Sequence, residues 1–157
     1  MRLAAPITLM IVATVSGCFK ITTGSSINRE VAQKLSDSYM SDLVADRVDL
    51  ALDKMEPGFV QAAGGKTKAE AALRGLFNYC GRPLTSEMRH DETGSFIYLD
   101  GREPAPMRAF FYAGKTTQYE KGVCFFAVRV VPYQNAVKVV NFGPLKLISG
   151  QLPEWAR

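Results

Sequence analysis

From residue 27 the chain carries apolar side chains at a helical period. Ile27, Val31, Leu35, Tyr39 and Leu43 recur every fourth residue, and Val44, Val48, Leu52 and Met55 continue the stripe. Steps of three and four put these side chains on one face of a helix. Lys34, Asp37, Asp42, Asp46, Asp49 and Asp53 occupy the rest of the wheel, the side a helix turns to water. Ser26 and Asn28 are good helix caps, and Pro57-Gly58 is a stop. The pattern predicts a single helix of about thirty residues, long for a small domain. A loop, Gln61 to Lys66, separates it from a second helical run. There Thr67 and Glu70 have the spacing of a capping box, in which each side chain satisfies a free amide of the first turn. The second helix is expected over 67–79, with Leu73, Leu76 and Phe77 on its buried face.

After Gly81-Arg82-Pro83 the texture changes to strand-like runs between turn signals. Strands are expected at 84–90, 95–100, 107–119, 122–132 and 136–148, with Asp-Glu-Thr-Gly, Gly-Arg-Glu-Pro-Ala-Pro, Glu-Lys-Gly and Tyr-Gln-Asn between them. Connections this short join antiparallel neighbours. Gly143-Pro144 marks a bulge or an edge position in the last run. The tail is expected to fold back and bury Trp155. Helices followed by strands make an α+β class: a long N-terminal helix and a second helix packed on one face of a curved antiparallel sheet of about five strands. This order, over 27–148, resembles the cone-shaped fold of the nuclear-transport-factor-2-like and cystatin-like proteins, in which a curved sheet wraps a long helix. The resemblance implies a pocket under the helices, drawing here on Tyr39, Phe77, Tyr79 and Phe126. That superfold hosts enzymes and inert binding modules alike, so it leaves function open.

Strand phase suggests an interaction face. Cys124, Phe126, Val128 and Val130 form a wholly apolar row, opposite Val123, Phe125, Ala127 and Arg129. The apolar row is read as inward. With Arg108 and Lys138 taken as markers of the solvent side, Phe110, Tyr112, Val140 and Phe142 join Phe125 on the outer face. Ringed by Arg108, Arg129 and Lys138, such a patch is larger than a soluble monomer leaves bare. It is expected to be a surface for a second copy or a protein partner, or else the seat of the Trp155 tail.

The first eighteen residues change the setting. Met1-Arg2 supplies one positive charge, and Leu3 to Val15 is an uncharged apolar run of thirteen residues, interrupted only by Pro6. That is too short to span a bilayer, which takes about 20 helical residues, and it has the layout of a secretory signal. Val15-Ser16-Gly17-Cys18 resembles the lipobox of bacterial lipoproteins: an aliphatic residue, a small residue, Gly or Ala, then Cys. The resemblance implies a signal peptide at 1–17, diacylglyceryl and usually N-acyl modification of Cys18, and attachment to the bilayer through it. Phe19 stands where enteric lipoproteins kept at the inner membrane often carry Asp, which favours the outer membrane on the periplasmic side. Residues 18–26 then form the lipidated Cys and a flexible Gly/Ser-rich tether, and 27–157 a single domain.

Cleavage removes 17 of 157 residues and leaves 140, with 18 Lys and Arg against 15 acids once Arg2 is gone. No basic stripe accompanies that small excess, so nucleic acid is not an expected partner. Cys80 and Cys124 are neither a CxxC pair nor at metal-ligand spacing, and in an exported domain they read as one disulfide, with two buried thiols the alternative. Gly64 to Thr67 (GGKT) resembles part of a phosphate loop, but Val60 stands where that motif needs Gly, and a helix precedes it in place of a strand. His90, the sole histidine, is read as an exposed turn residue beside Asp91 and Glu92. With no cofactor or metal implied, the expectation is a lipid-anchored envelope lipoprotein acting by binding or assembly. The alternative is a small-molecule carrier or enzyme using the cone pocket.

Overall fold

In the computed structural model, which describes residues 27–119, 123–145 and 153–156, Asn28 caps the first helix. Its side chain accepts from the Val31 amide at 3.1 Å. The expected single long helix is two, α1 (Arg29–Val44) and α2 (Val48–Asp53), and a further short helix, α3 (Pro57–Ala62), begins at the expected stop. The first break falls where Asp46 takes φ 58°, a left-handed conformation that Asp tolerates better than most residues. The Arg47 amide then turns back to the Asp42 carbonyl at 2.8 Å. Asp42 was expected on the solvated side, but it is only 4% exposed. Its carboxylate accepts from Arg47 Nη2 at 2.9 Å and from Lys54, which lets α2 fold Val48, Ala51 and Leu52 into the core. Pro57 opens α3 at a position where its missing amide costs nothing.

Helix α4 (Lys66–Cys80) starts one residue before the expected cap. Gly64 and Gly65, at φ 91° and 99°, already turn the chain, and Gly65 is the cap. Thr67 therefore lies inside the first turn, and the Thr67–Glu70 capping box is not used.

The sheet has four strands in sequence order, all antiparallel: β1 (Glu87–Phe96), β2 (Ala105–Gly114), β3 (Cys124–Tyr133) and β4 (Ala136–Leu145). Four replace the expected five because Asp-Glu-Thr-Gly is not a turn. Thr93 pairs with Arg108 and Gly94 with Met107, so the ladder runs straight through residues with poor strand propensity. β4 is an outer strand, the position expected from Gly143-Pro144. Its edge is partly closed by the α2–α3 link, where the Glu56 amide donates to Val139 O at 2.8 Å and the Val139 amide to Lys54 O at 3.0 Å.

Helices and sheet share one large core. Tyr39, Met40 and Leu43 of α1, with Leu52 and Leu73, pack on Phe110, Phe126, Val128, Val130 and Phe142. A second apolar cluster lies on the opposite sheet face, built on Met107, Phe111, Val131 and Val140. Three contacts fix the direction of α1. Arg29 reaches Asp91 midway along β1, Ser36 meets Tyr112 near the far end of β2, and Val44 O accepts from Arg82 beyond that end. The helix thus starts beside the middle of β1 and ends near the β2–β3 loop.

Candidate functional site

Cys18, the leader and the tether lie outside the described residues. Cys80 and Cys124 form a disulfide with Cα atoms 6.4 Å apart. It joins the last residue of α4 to the first of β3 and so clamps the helical layer to the sheet. The chain around it is closely threaded. Thr116 Oγ1 donates to Cys80 O, and the Arg82 amide donates to Thr117 Oγ1 at 3.1 Å. Gly81 sits at φ 83°, where a Cβ would meet the Gln118 amide nitrogen at 2.7 Å.

The eight residues of the expected outer face separate. Phe110, Tyr112 and Phe142 face the helices. On β2 the marker misled. Arg108 itself points to the helical side, opposite Val130, where its guanidinium meets Asp91. Asp91 also receives Arg29 Nη2 at 2.8 Å and Nε at 3.0 Å. Those Arg29 bonds, followed by Arg108, hold the Asp91 carboxyl below its usual range against the opposing effect of burial. Tyr112 donates its hydroxyl to Asp37 Oδ1 at 2.7 Å and lies 2.8 Å from Ser36 Oγ, and burial pushes that phenol up. On β4 the marker was sound but the count was not. Arg129 pairs with Asn141 and Val130 with Val139, so Val140 is an extra, bulged residue. Lys138 and Val140 stay on the outer side, while Phe142 turns inward.

Phe125, Arg129, Lys138 and Val140 remain outside, but the face is covered, not bare. Val140 is 1% exposed and Val131 fully buried. The tail lies over one end, as expected. The Trp155 ring stacks on His90 at 5.6 Å and meets Phe111 at 5.0 Å and Phe125 at 5.8 Å. His90 is consequently a strand residue held in an aromatic stack, not a turn residue, with Nε2 3.2 Å from Glu92 Oε1. Arg129 Nη1 donates to Asn141 Oδ1 at 2.7 Å in the middle of this face, and burial pulls its guanidinium down. Lys138 Nζ reaches over the edge to Asp53 O at 2.9 Å.

Besides Val31 on α1 and Leu50 on α2, large exposed apolar side chains lie at the two ends of the sheet. Tyr79, Tyr119 and Val123 surround the disulfide end, so Tyr79 lines no pocket. Ile97 (70% exposed) and Leu99 (fully exposed) stand on the β1–β2 loop. That loop is tied down between them. The Tyr98 ring packs on Phe96 at 5.1 Å and Phe59 at 6.4 Å, with the Arg102 guanidinium 3.9 Å above it. Arg102 also bonds Asp100 at 2.9 Å and the buried Glu56 at 3.2 Å. Sequence reasoning missed this loop because its Phe-Ile-Tyr-Leu run reads as strand. The signal was the alternation of Ile97, Tyr98 and Leu99 just ahead of Asp100-Gly101.

Among the described residues no group of His, Cys, Asp or Glu is placed to hold a metal ion, and no helix is long and apolar enough to cross a membrane. Compared with known proteins, the chain matches no family model, no curated protein and no solved structure.

Proposed function

We infer that this chain is a bilayer-anchored lipoprotein of the bacterial envelope, lipidated at Cys18, whose domain works by binding or assembly. One observation supports the compartment above all. The Cys80–Cys124 disulfide joins two elements far apart in sequence, and such bonds persist in oxidising spaces. It lies downstream of a short apolar leader ending in Val-Ser-Gly-Cys, so the export signal and the redox chemistry agree. Binding is favoured over catalysis by how the space beneath α1 is used. Tyr39 and Phe126, which the cone-fold resemblance would place around a pocket, are core residues. The Phe142 ring lies 5.6 Å from Tyr39 and 5.8 Å from Phe126. The partner is a second copy or another envelope protein, and Phe19 after the lipidated residue favours the outer membrane.

Mass spectrometry of the chain extracted from membranes tests this reading. The expected species begins at Cys18 and carries diacylglycerol on sulfur with an acylated amino group. A mature chain starting downstream of Cys18, or one with Cys18 unmodified, overturns it.

A further inference from the structure

The cover over the outer sheet face has a gap beside Arg129. On β3 the outward residues Phe125, Ala127 and Arg129 lie opposite Leu145, Gly143 and Asn141 of β4. Pair by pair they run from apolar through small to polar. At the apolar end the Trp155 ring stands edge-on to Phe125 at 5.8 Å, and Leu145 packs in the same outer cluster. In the middle a side chain is missing. A Cβ built on Gly143 meets nothing within 4 Å among the described residues, so open space lies above it. The backbone does not demand this glycine, because Gly143 is not among the glycines with positive φ and the bulge of β4 falls at Val140. A glycine inside a strand weakens it, and where no bulge or bend needs one it marks a place that another group approaches closely.

The polar end lacks an anion. Arg129 Nη1 donates to Asn141 Oδ1 at 2.7 Å, and among the described residues no carboxylate forms an ion pair with this guanidinium. The acid on its row, Glu92, lies two strands away across Ala109 and turns to His90 Nε2 at 3.2 Å. A guanidinium carries five N–H donors in a planar fork that matches a carboxylate. Asn141 occupies one and holds the fork in place, and its own Nδ2 has no partner among the described residues. Burial already disfavours the Arg129 charge, so an anion beside it gains more here than on an open surface. We propose that Arg129 and Asn141 bind the carboxylate of a small organic acid whose apolar body lies in the gap over Gly143, against Phe125 and Trp155. The polar and apolar ends are four residues, about 13 Å, apart along the strands, which suits a ring bearing a carboxylate and not a bare ion. This site goes beyond the reading above and does not depend on the anchor at Cys18.

Benzoate is the probe, titrated into the full chain against sodium chloride at equal ionic strength. The emission of Trp155, the chain's one tryptophan, reports binding. The expected result is a saturable change, with uncharged benzamide binding at least about 10-fold more weakly, as the loss of charge-assisted hydrogen bonds requires. Two variants divide the site. Arg129→Met removes the fork and keeps an unbranched side chain, and it should weaken benzoate at least about 10-fold. Gly143→Val leaves Arg129 and Asn141 in place and fills the gap with a residue that suits a strand, so it should weaken benzoate as much while thermal melting is undiminished. No saturable change in the wild-type chain overturns the proposal. Benzamide binding as tightly as benzoate overturns the role of the charge, and inorganic phosphate binding as tightly overturns the role of the apolar body. Benzoate binding undiminished in Gly143→Val overturns the location, and that variant decides the matter if Arg129→Met fails to fold. Lipidation at Cys18 is read separately from the mass of the extracted chain, so failure here leaves the anchor standing.

Discussion

β2 and β3 lie side by side under the same helices, yet only β3 declares its inner face in sequence. Its two rows differ sharply: Cys124, Phe126, Val128 and Val130 against Phe125, Ala127 and Arg129. β2 is apolar on both faces. Phe110 and Tyr112 enter the helical core, while Met107, Ala109 and Phe111 build the cluster beneath the tail. A strand buried on both sides has little alternation to read. Its single charge then sets the apparent phase, and Arg108 sets it wrongly, because an ion pair with Asp91 lets a guanidinium sit on the inner side. A charge marks the solvent face only when water is its best available partner.

The sharpest test of that contrast compares two adjacent residues of β2. Phe110 is fully buried in the helical core, and Phe111, 9% exposed, lies under Trp155. Phe110→Ala is expected to cost about 3–5 kcal/mol, the range for a large aromatic removed from a packed core. Phe111→Ala should cost about 2–3 kcal/mol, because the single short turn of the tail can settle into the gap. Urea denaturation of both variants checks this. Equal losses would break the distinction between a thick inner layer and a thin outer cover.

How far the sequence could be read follows from the same contrast. The α+β class, the start of α1 at Asn28, the inner row of β3, the Cys80–Cys124 pairing and the tail folding onto the sheet were all legible, because each has a strong local or compositional signal. What was not legible depended on partners distant in sequence. The break at Asp46 needs Arg47 and Lys54 to neutralise a buried Asp42, and nothing in the helical periodicity announces it. The continuity of β1 through Asp-Glu-Thr-Gly needs β2 beside it. The inward turn of Phe142 needs a one-residue bulge at Val140, and one residue is enough to reverse a face. The candidate surface built on those phases dissolved accordingly, and the exposed apolar residues proved to be on helices and loops.

The disulfide gives the next largest effect and adds to the difference between the strands, since it fixes β3 to α4 and leaves β2 to noncovalent contacts. It closes a sequence separation of 44 residues. Confining a loop of that size in the unfolded chain is worth about 4 kcal/mol on the entropic argument, and measured bridges give about 2–4 kcal/mol. Cys80→Ser/Cys124→Ser should lower stability by that amount, with the Thr116–Cys80 contact retaining part of the local geometry. A loss below about 1 kcal/mol would show that the close threading of 81–82 against 116–118 already holds the two layers together without the covalent bond.

The smallest expected change belongs to Arg108, the residue that reversed the reading of β2. Removing one partner of a buried ion pair is damaging chiefly because the other charge is left unpaired. Arg108→Met should therefore shift stability by no more than about 1 kcal/mol, provided that Asp91 keeps another partner. It does: Arg29 supplies both Nε and Nη2, and its hydrogen bond is the main cause of the lowered Asp91 pKa. The pH dependence follows from that direction. A carboxylate whose folded pKa is depressed contributes stability above its unfolded value, near 4, and loses it as pH falls through the lower folded value. Arg108→Met should keep most of that acid limb, because Arg29 remains. Asp91→Asn should flatten it and also leave the Arg108 guanidinium without its anion, so it should be the more damaging of the two changes at neutral pH. Urea midpoints measured from pH 2.5 to 7 distinguish them. If Arg108→Met flattens the acid limb as fully as Asp91→Asn, then Arg108 and not Arg29 holds Asp91 ionised, and the inner row of β2 is built around its charge.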